Sequence, residues 1–109
     1  MSGTYDLKRS GDQFMFNLKA SNGEPILTSE RYTTKTGALN GIESVRKNSP
    51  IDARYQRKVA TNGQPYFTLS GGNGETIGRS ETYSSASARD NGIASVKTNG
   101  PTATVKDNT

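Results

Sequence analysis

Apolar and polar residues alternate with a period of two from Phe14 to Ala20: Phe14, Phe16, Leu18 and Ala20 are interleaved with Met15, Asn17 and Lys19. That period marks a β-strand with one buried face. Phe67 and Leu69 repeat it, with Tyr66, Thr68 and Ser70 turned outward. Upstream, Tyr5–Arg9 and Tyr55–Val59 read as partner strands, joined onward by turns at Ser10-Gly11-Asp12 and Thr61-Asn62-Gly63. Asn22-Gly23 and Asn73-Gly74 supply the backbone of tight hairpin turns. A third strand follows each, with Ile26 and Ile77 inward. The period then lengthens: Ala38, Ile42 and Val45 fall on one helical face, and Ala86, Ile93 and Val96 nearly do so. Thr33 or Thr34 in the first segment, and Ser84 or Ser85 in the second, can cap the helix start. Pro50 and Pro101 stop the helices.

The two halves are copies. Phe16–Pro50 set against Phe67–Pro101 needs no gap, and 16 of the 35 aligned positions are identical. The shared framework is Asn-Gly-Glu at 22–24 and 73–75, Ser-Glu-x-Tyr at 29–32 and 80–83, and Asn-Gly-Ile-x-Ser-Val at 40–45 and 91–96. Each copy reads as three strands and a helix, giving an α+β fold with helices on one face of an antiparallel sheet and the other face wet. Gly41 and Gly92 fall mid-helix, at a cost of about 1 kcal/mol each against Ala. A close approach to the sheet under Tyr32 and Tyr83 would offset that cost. The competing reading takes Asn-Gly as a turn that splits the segment, although the apolar spacing runs straight through it. Asn99-Gly100 reads as a helix C-terminal cap.

Composition bounds the rest. A unit of roughly 50 residues buries too little surface to stand alone without disulfides or metal, and the chain has no Cys and no His. The 109 residues therefore read as one domain, with repeat 1 at about 5–53 and repeat 2 at about 54–107 sharing one core. Mean hydropathy is −0.80 and only 29% of residues are hydrophobic, yet the ordered spacing argues against disorder. Net charge is +4, with no long run of one sign, which fits a mixed soluble surface. The chain start has no basic segment leading into an apolar stretch, and no apolar run approaches a membrane span, so a monomer of the cytoplasm, away from membranes, is expected.

Candidate chemistry is thin. Without His or Cys there is no imidazole- or thiol-based nucleophilic site. The carboxylates lack calcium-loop spacing, so no metal and no cofactor is expected. Gly71-Gly72-Asn73-Gly74 aligns with the plain hairpin Ala20-Ser21-Asn22-Gly23 and lacks the Lys-Ser/Thr of a phosphate loop. The chain is accordingly expected to be no enzyme. Two binding readings remain. The recurring polar clusters Ser29, Glu30, Tyr32 and Ser80, Glu81, Tyr83 could form a recognition edge for a protein partner. Arg89 replaces Ala38 on the apolar helix side, where it would snorkel and pair with a carboxylate such as Glu81. Alternatively Arg54, Tyr55, Arg57 and Lys58, with Tyr66, could give a basic and aromatic sheet face that binds nucleic acid weakly.

The quoted motifs make the chain resemble the YegP-like proteins, small bacterial tandem-repeat proteins of unknown function, from Tyr5 to Asp107. The resemblance implies two tandem β3-α-β repeats in a single antiparallel sheet with both helices on one face. It also implies that the C-terminal strand of each repeat crosses to the other. Ile51–Ala53 and Ala103–Lys106 would be those strands. The family brings no established catalytic or ligand residues.

Overall fold

The computed structural model describes residues 3–109. Repeat 1 supplies β1 (Thr4–Ser10), β2 (Gln13–Lys19), β3 (Pro25–Ser29) and α1 (Lys35–Asn48). Repeat 2 supplies β4 (Tyr55–Val59), β5 (Pro65–Ser70), β6 (Thr76–Arg79), α2 (Ala86–Asn99) and β7 (Thr104–Asp107). The strands form one sheet in the order β4-β5-β6-β3-β2-β1-β7. The two repeats join through a short antiparallel pairing of β3 with β6, Thr28 opposite Arg79 and Ser29 opposite Gly78.

Local chemistry accounts for the elements. Gly23 and Gly74 hold φ of 87° and 85° at the hairpin tips, a conformation that side chains resist. The Asn22 and Asn73 side chains accept from the amides of Glu24 and Glu75, closing each turn. Thr34 and Ser85 are the helix caps, accepting from the amides of Gly37 and Ala88. Both helices run unbroken through their Asn-Gly pairs. A Cβ on Gly41 would overlap the Tyr32 hydroxyl and lie 2.7 Å from Tyr32 Cζ, and Gly92 meets Tyr83 in the same way. Each tyrosine in turn stacks on a core phenylalanine, Phe16–Tyr32 at 6.3 Å and Phe67–Tyr83 at 6.4 Å. The glycines therefore let a helix settle onto a pair of stacked rings.

There is one core. Tyr5, Leu7, Phe16 and Leu18 of repeat 1 are buried in the same cluster as Tyr55, Phe67 and Leu69 of repeat 2, together with Ala38, Ile42 and Val45 of α1 and Ile93 and Val96 of α2. Ile26 is buried as expected, as the extra residue of a bulge opposite Leu18/Lys19, and Leu27 is buried beside it by its register opposite Leu18. The equivalent position in repeat 2 is Gly78, and a Cβ there would lie 2.9 Å from Leu27 Cγ. One leucine thus fills the space at the repeat junction where two would collide.

Each helix ends on the other repeat. The Tyr5 hydroxyl of repeat 1 donates to the Gly100 carbonyl at the end of α2, at 2.6 Å. The Tyr55 hydroxyl of repeat 2 donates to the Ser49 carbonyl at the end of α1, at 2.7 Å. The two helix ends also touch, since a Cβ on Gly100 would overlap Ser49. Strands β1 and β4 stand five places apart in the sheet, about 24 Å at ordinary strand spacing. For both tyrosines to reach one pair of helix ends, the sheet must curl around the helices. Its uncovered face is therefore the convex outside.

Four expectations change. The sheet is mixed, because β7 runs parallel to β1. It leaves the end of α2 beside the start of β1, with the Thr104 amide on the Gly3 carbonyl, so both strands run the same way. Ile51–Ala53 is not a strand: Asp52–Arg54 forms a 3₁₀ turn. Only residues 49–54 separate α1 from β4, too short a link to run out along an edge and return. Gly100 is the C-cap of α2 as expected, but with a right-handed φ of −55° in place of the left-handed form glycine caps favour, and the tight contact with Ser49 is what its missing side chain permits. Ala86 is exposed in the first turn of α2, and the place of Ala38 on the inner face belongs to Arg89.

Gly41→Ala tests the helix-on-ring packing. In an open helix the change would stabilise by about 1 kcal/mol. Here overpacking should destabilise by about 1–3 kcal/mol in urea unfolding. Tyr32→Phe in the same chain removes the colliding hydroxyl and should recover part of the loss. A more stable Gly41→Ala protein would contradict this packing.

Candidate functional site

Strand register decides which side chains share the open face. Gln56 faces Thr68, Thr68 faces Arg79, and Arg79 faces Thr28. Thr28 faces Asn17, Asn17 faces Asp6, and Asp6 faces Lys106. Cross-strand partners lie on the same side of a sheet, so every strand gives one residue to a polar row that crosses the whole convex surface. Hydrogen bonds stiffen it: Thr68 Oγ1 donates to Gln56 Oε1 at 2.8 Å, and Asn17 Nδ2 to Thr28 Oγ1 at 2.9 Å. Lys58 and Tyr66 face each other beside the row at one end. Lys8 and Met15 do so at the other.

The row is basic. Lys58, Arg79, Lys8, Lys19 and Lys106 stand on this face by register, against the carboxylate of Asp6. Lys8 and Lys19 are spent on Asp6, at 3.9 and 3.3 Å. Among the described residues, Lys58, Arg79 and Lys106 have no carboxylate within 4.0 Å. Arg31 is also unpaired, and it lines a depression with Met15, Thr28, Ser29, Glu30 and Arg79. A second depression holds Tyr66 with Arg79, Ser80 and Glu81. On the helix side Arg9, Lys47 and Arg54 likewise have no carboxylate within 4.0 Å among the described residues, but the other cations are paired. Arg46 pairs with Glu43, Arg57 with Asp52 and Asp90, Lys97 with Asp52, and Lys35 with Asp107.

The candidates named from the sequence divide between scaffold and surface. Ser29 Oγ accepts from the Phe16 amide and donates to the Glu30 carbonyl, and Ser80 does the same for Phe67 and Glu81. They complete the sheet where its ladder ends. Tyr32 and Tyr83 are the rings under the helix glycines, and burial, followed by the neighbouring Glu30 and Glu81, pushes their hydroxyls above the ordinary tyrosine pKa. Glu30 and Glu81 are exposed. Arg89 pairs with Asp90 at 3.1 Å and not with Glu81, because its neighbour in sequence reaches it first. Arg54 donates to Asn48 Oδ1, and Arg57 belongs to the ion pairs beside α2. Tyr55 is buried on the helix side, so it offers no ring to the open face, and burial drives its hydroxyl and that of Tyr5 far above the usual value. Of the Arg54–Lys58 stretch, Gln56 and Lys58 reach the open face.

Comparison with known proteins agrees with this architecture. A family model described as a domain of unknown function, DUF1508, matches the chain twice, over residues 10–56 and 60–107. The chain belongs to the DUF1508 family. It is 56% identical to the UPF0339 protein YegP of Escherichia coli K12 over 110 aligned positions that take in 100% of each chain. It is 63% identical to a UPF0339 protein of Shewanella oneidensis over 108 residues, 98% of each chain. Two solution NMR structures of UPF0339 proteins superpose on it. That from S. oneidensis gives a TM-score of 0.91 at 61% identity, over 98% of this chain and 92% of that one. That of E. coli YegP gives 0.93 at 56% identity, over 99% and 94%. The DUF1508 relatives carry no assigned activity in their names, and the E. coli structure is described as a protein of unknown function. Among the described residues no helix is long and apolar enough to cross a membrane.

Arg79, Lys106, Lys19 and Arg31 did not stand out in the sequence. Period-two alternation assigns a face within each strand, but the β3–β6 register that aligns the two halves rests on two residue pairs and has no sequence signal.

The carboxylates set an acid limit. Burial would raise the Asp6 pKa, but the Asn108 amide at 2.6 Å and Lys19 outweigh it and hold the group below its ordinary value. Lys97 does so for Asp52, Arg89 for Asp90 and Lys35 for Asp107. A depressed carboxylate pKa contributes stability above its unfolded value and loses it as pH falls through the folded one. The melting temperature should therefore hold above about pH 4 and fall below it. Asp6→Asn should shrink that fall. A melting temperature that stays level down to pH 2 would contradict these pairings.

Proposed function

We propose that the chain is a non-catalytic interaction module that binds an anionic partner on the convex open face of its sheet. The observation that carries this reading is the contrast between the two sides. Among the described residues, Lys58, Arg79, Lys106 and Arg31 have no carboxylate partner on or beside the open face, whereas Lys35, Arg46, Arg57, Arg89 and Lys97 on the helix side do and Arg9, Lys47 and Arg54 do not. Unpaired charges on a supported surface cost little to hold and are free to meet an opposite field. The polar row between them is cross-linked by its own hydrogen bonds, so it is ordered before any partner arrives. With no Cys and no His in the chain, the side chains suit recognition better than covalent or imidazole-based chemistry.

Heparin is a suitable first probe, as a polyanion without bases. The protein should be retained on immobilised heparin at 50 mM salt. Arg79→Glu and Lys58→Glu should each elute at clearly lower salt. Lys47→Glu changes the charge equally but sits exposed on α1, on the helix side, and should elute near the unaltered protein. Equal shifts for all three variants would show that net charge alone acts, and would overturn the assignment of the face.

A further inference from the structure

We infer that the anionic partner is a single-stranded nucleic acid laid across the open face, with a base stacked on Tyr66. The inference rests on the open-face reading above and narrows its partner to one class.

Three observations favour it. First, the unpaired cations are dispersed: Lys58 is on β4, Arg79 on β6 and Lys106 on β7, the last strand at the opposite edge. Six strand intervals span about 29 Å, so the cations track an extended chain of charges and do not converge on one compact anion. Second, Tyr66 is the aromatic ring on this face, half-buried, opposite Lys58 and in the same depression as Arg79. A ring with Lys58 across the strand and Arg79 and Glu81 in its depression can stack a base while the two cations meet flanking phosphates, the combination that single-strand binding uses. Met15 holds the equivalent place in repeat 1, opposite Lys8, as a second apolar surface. Third, the surface is convex. Two convex bodies touch along a narrow strip, which disfavours a duplex, whereas a flexible strand can follow the curve and present its bases inward. The Gln56 amide nitrogen, whose oxygen alone is taken by Thr68 and Ser70, and the Thr28 hydroxyl, whose oxygen accepts from Asn17, can then donate to base edges or sugars.

Fluorescence anisotropy with a labelled mixed-sequence 12-nucleotide DNA strand tests this, alongside the same sequence as a duplex. Micromolar binding is expected for the single strand at 50 mM salt, with the duplex weaker by fivefold or more. Four phosphate contacts should give a log–log salt slope of about −3. Tyr66→Ala should weaken single-strand binding about tenfold, and Tyr66→Phe should leave it nearly unchanged. Because Tyr66→Ala could disturb β5, amide NMR shifts of the unaltered protein give an independent readout. The strand should move the signals of Tyr66, Arg79 and Lys58 and leave those of α1 and α2 in place. Shifts on the helices, equal affinity for duplex and single strand, or indifference to Tyr66→Ala in a folded protein would each overturn the inference. Binding to heparin without binding to the oligonucleotide would also overturn it, while leaving the open face as the site for an anion of another kind, such as an acidic protein.

Discussion

Two tyrosine hydroxyls tie each repeat to the helix end of the other. A helix C-terminus carries unsatisfied carbonyls and partial negative charge, and here two such ends meet in one place, Ser49 against Gly100. Left alone they would repel. Tyr5 donates to Gly100 and Tyr55 to Ser49, so each end is satisfied by a hydroxyl from the other repeat. Arg46 and Lys97 lie over those two rings at 5.4 and 5.7 Å, bringing positive charge to the last turns. Neither repeat can complete this arrangement by itself. The curl of the sheet, the single core and the convexity of the outer face all follow from two distant strands reaching the same pair of helix ends.

The repeats are near-copies, and their differences fall where symmetry would fail. At the junction Leu27 occupies space that a second leucine at position 78 would need. After α1 the chain turns at once into β4, and after α2 it runs on as β7. One edge of the sheet is thus extended by a parallel strand, while the other ends on β4, whose Gln56, Arg57 and Lys58 are exposed. Charge on an edge strand discourages pairing with another sheet. On the open face the same breaking of symmetry pairs Thr28 with Arg79 and places an unpaired guanidinium near the centre.

Much of this was legible in the sequence. Period-two alternation marked the strands, Asn-Gly the hairpins, the Thr33-Thr34 and Ser84-Ser85 pairs the caps, of which the helices use Thr34 and Ser85, and the 51-residue repeat the duplication. Gly41 and Gly92 pointed correctly to close contact with Tyr32 and Tyr83. What remained hidden depends on long-range geometry. The parallel course of β7 follows from where α2 ends. The burial of Leu27 follows from its register opposite Leu18, and the burial of Tyr55 from the curl that brings it to Ser49. The open-face row needs six strand registers at once, and the central one has no local signature.

The most direct measurement takes the halves apart. Residues 1–53 and 54–109, prepared separately, should each lack a cooperative thermal transition by circular dichroism, because each then has a helix end without its tyrosine and half a core. Mixed in equal amounts, they should regain helical signal and a sharp melt. A first half that melts cooperatively as a monomer on its own would contradict the mutual dependence proposed for the two repeats.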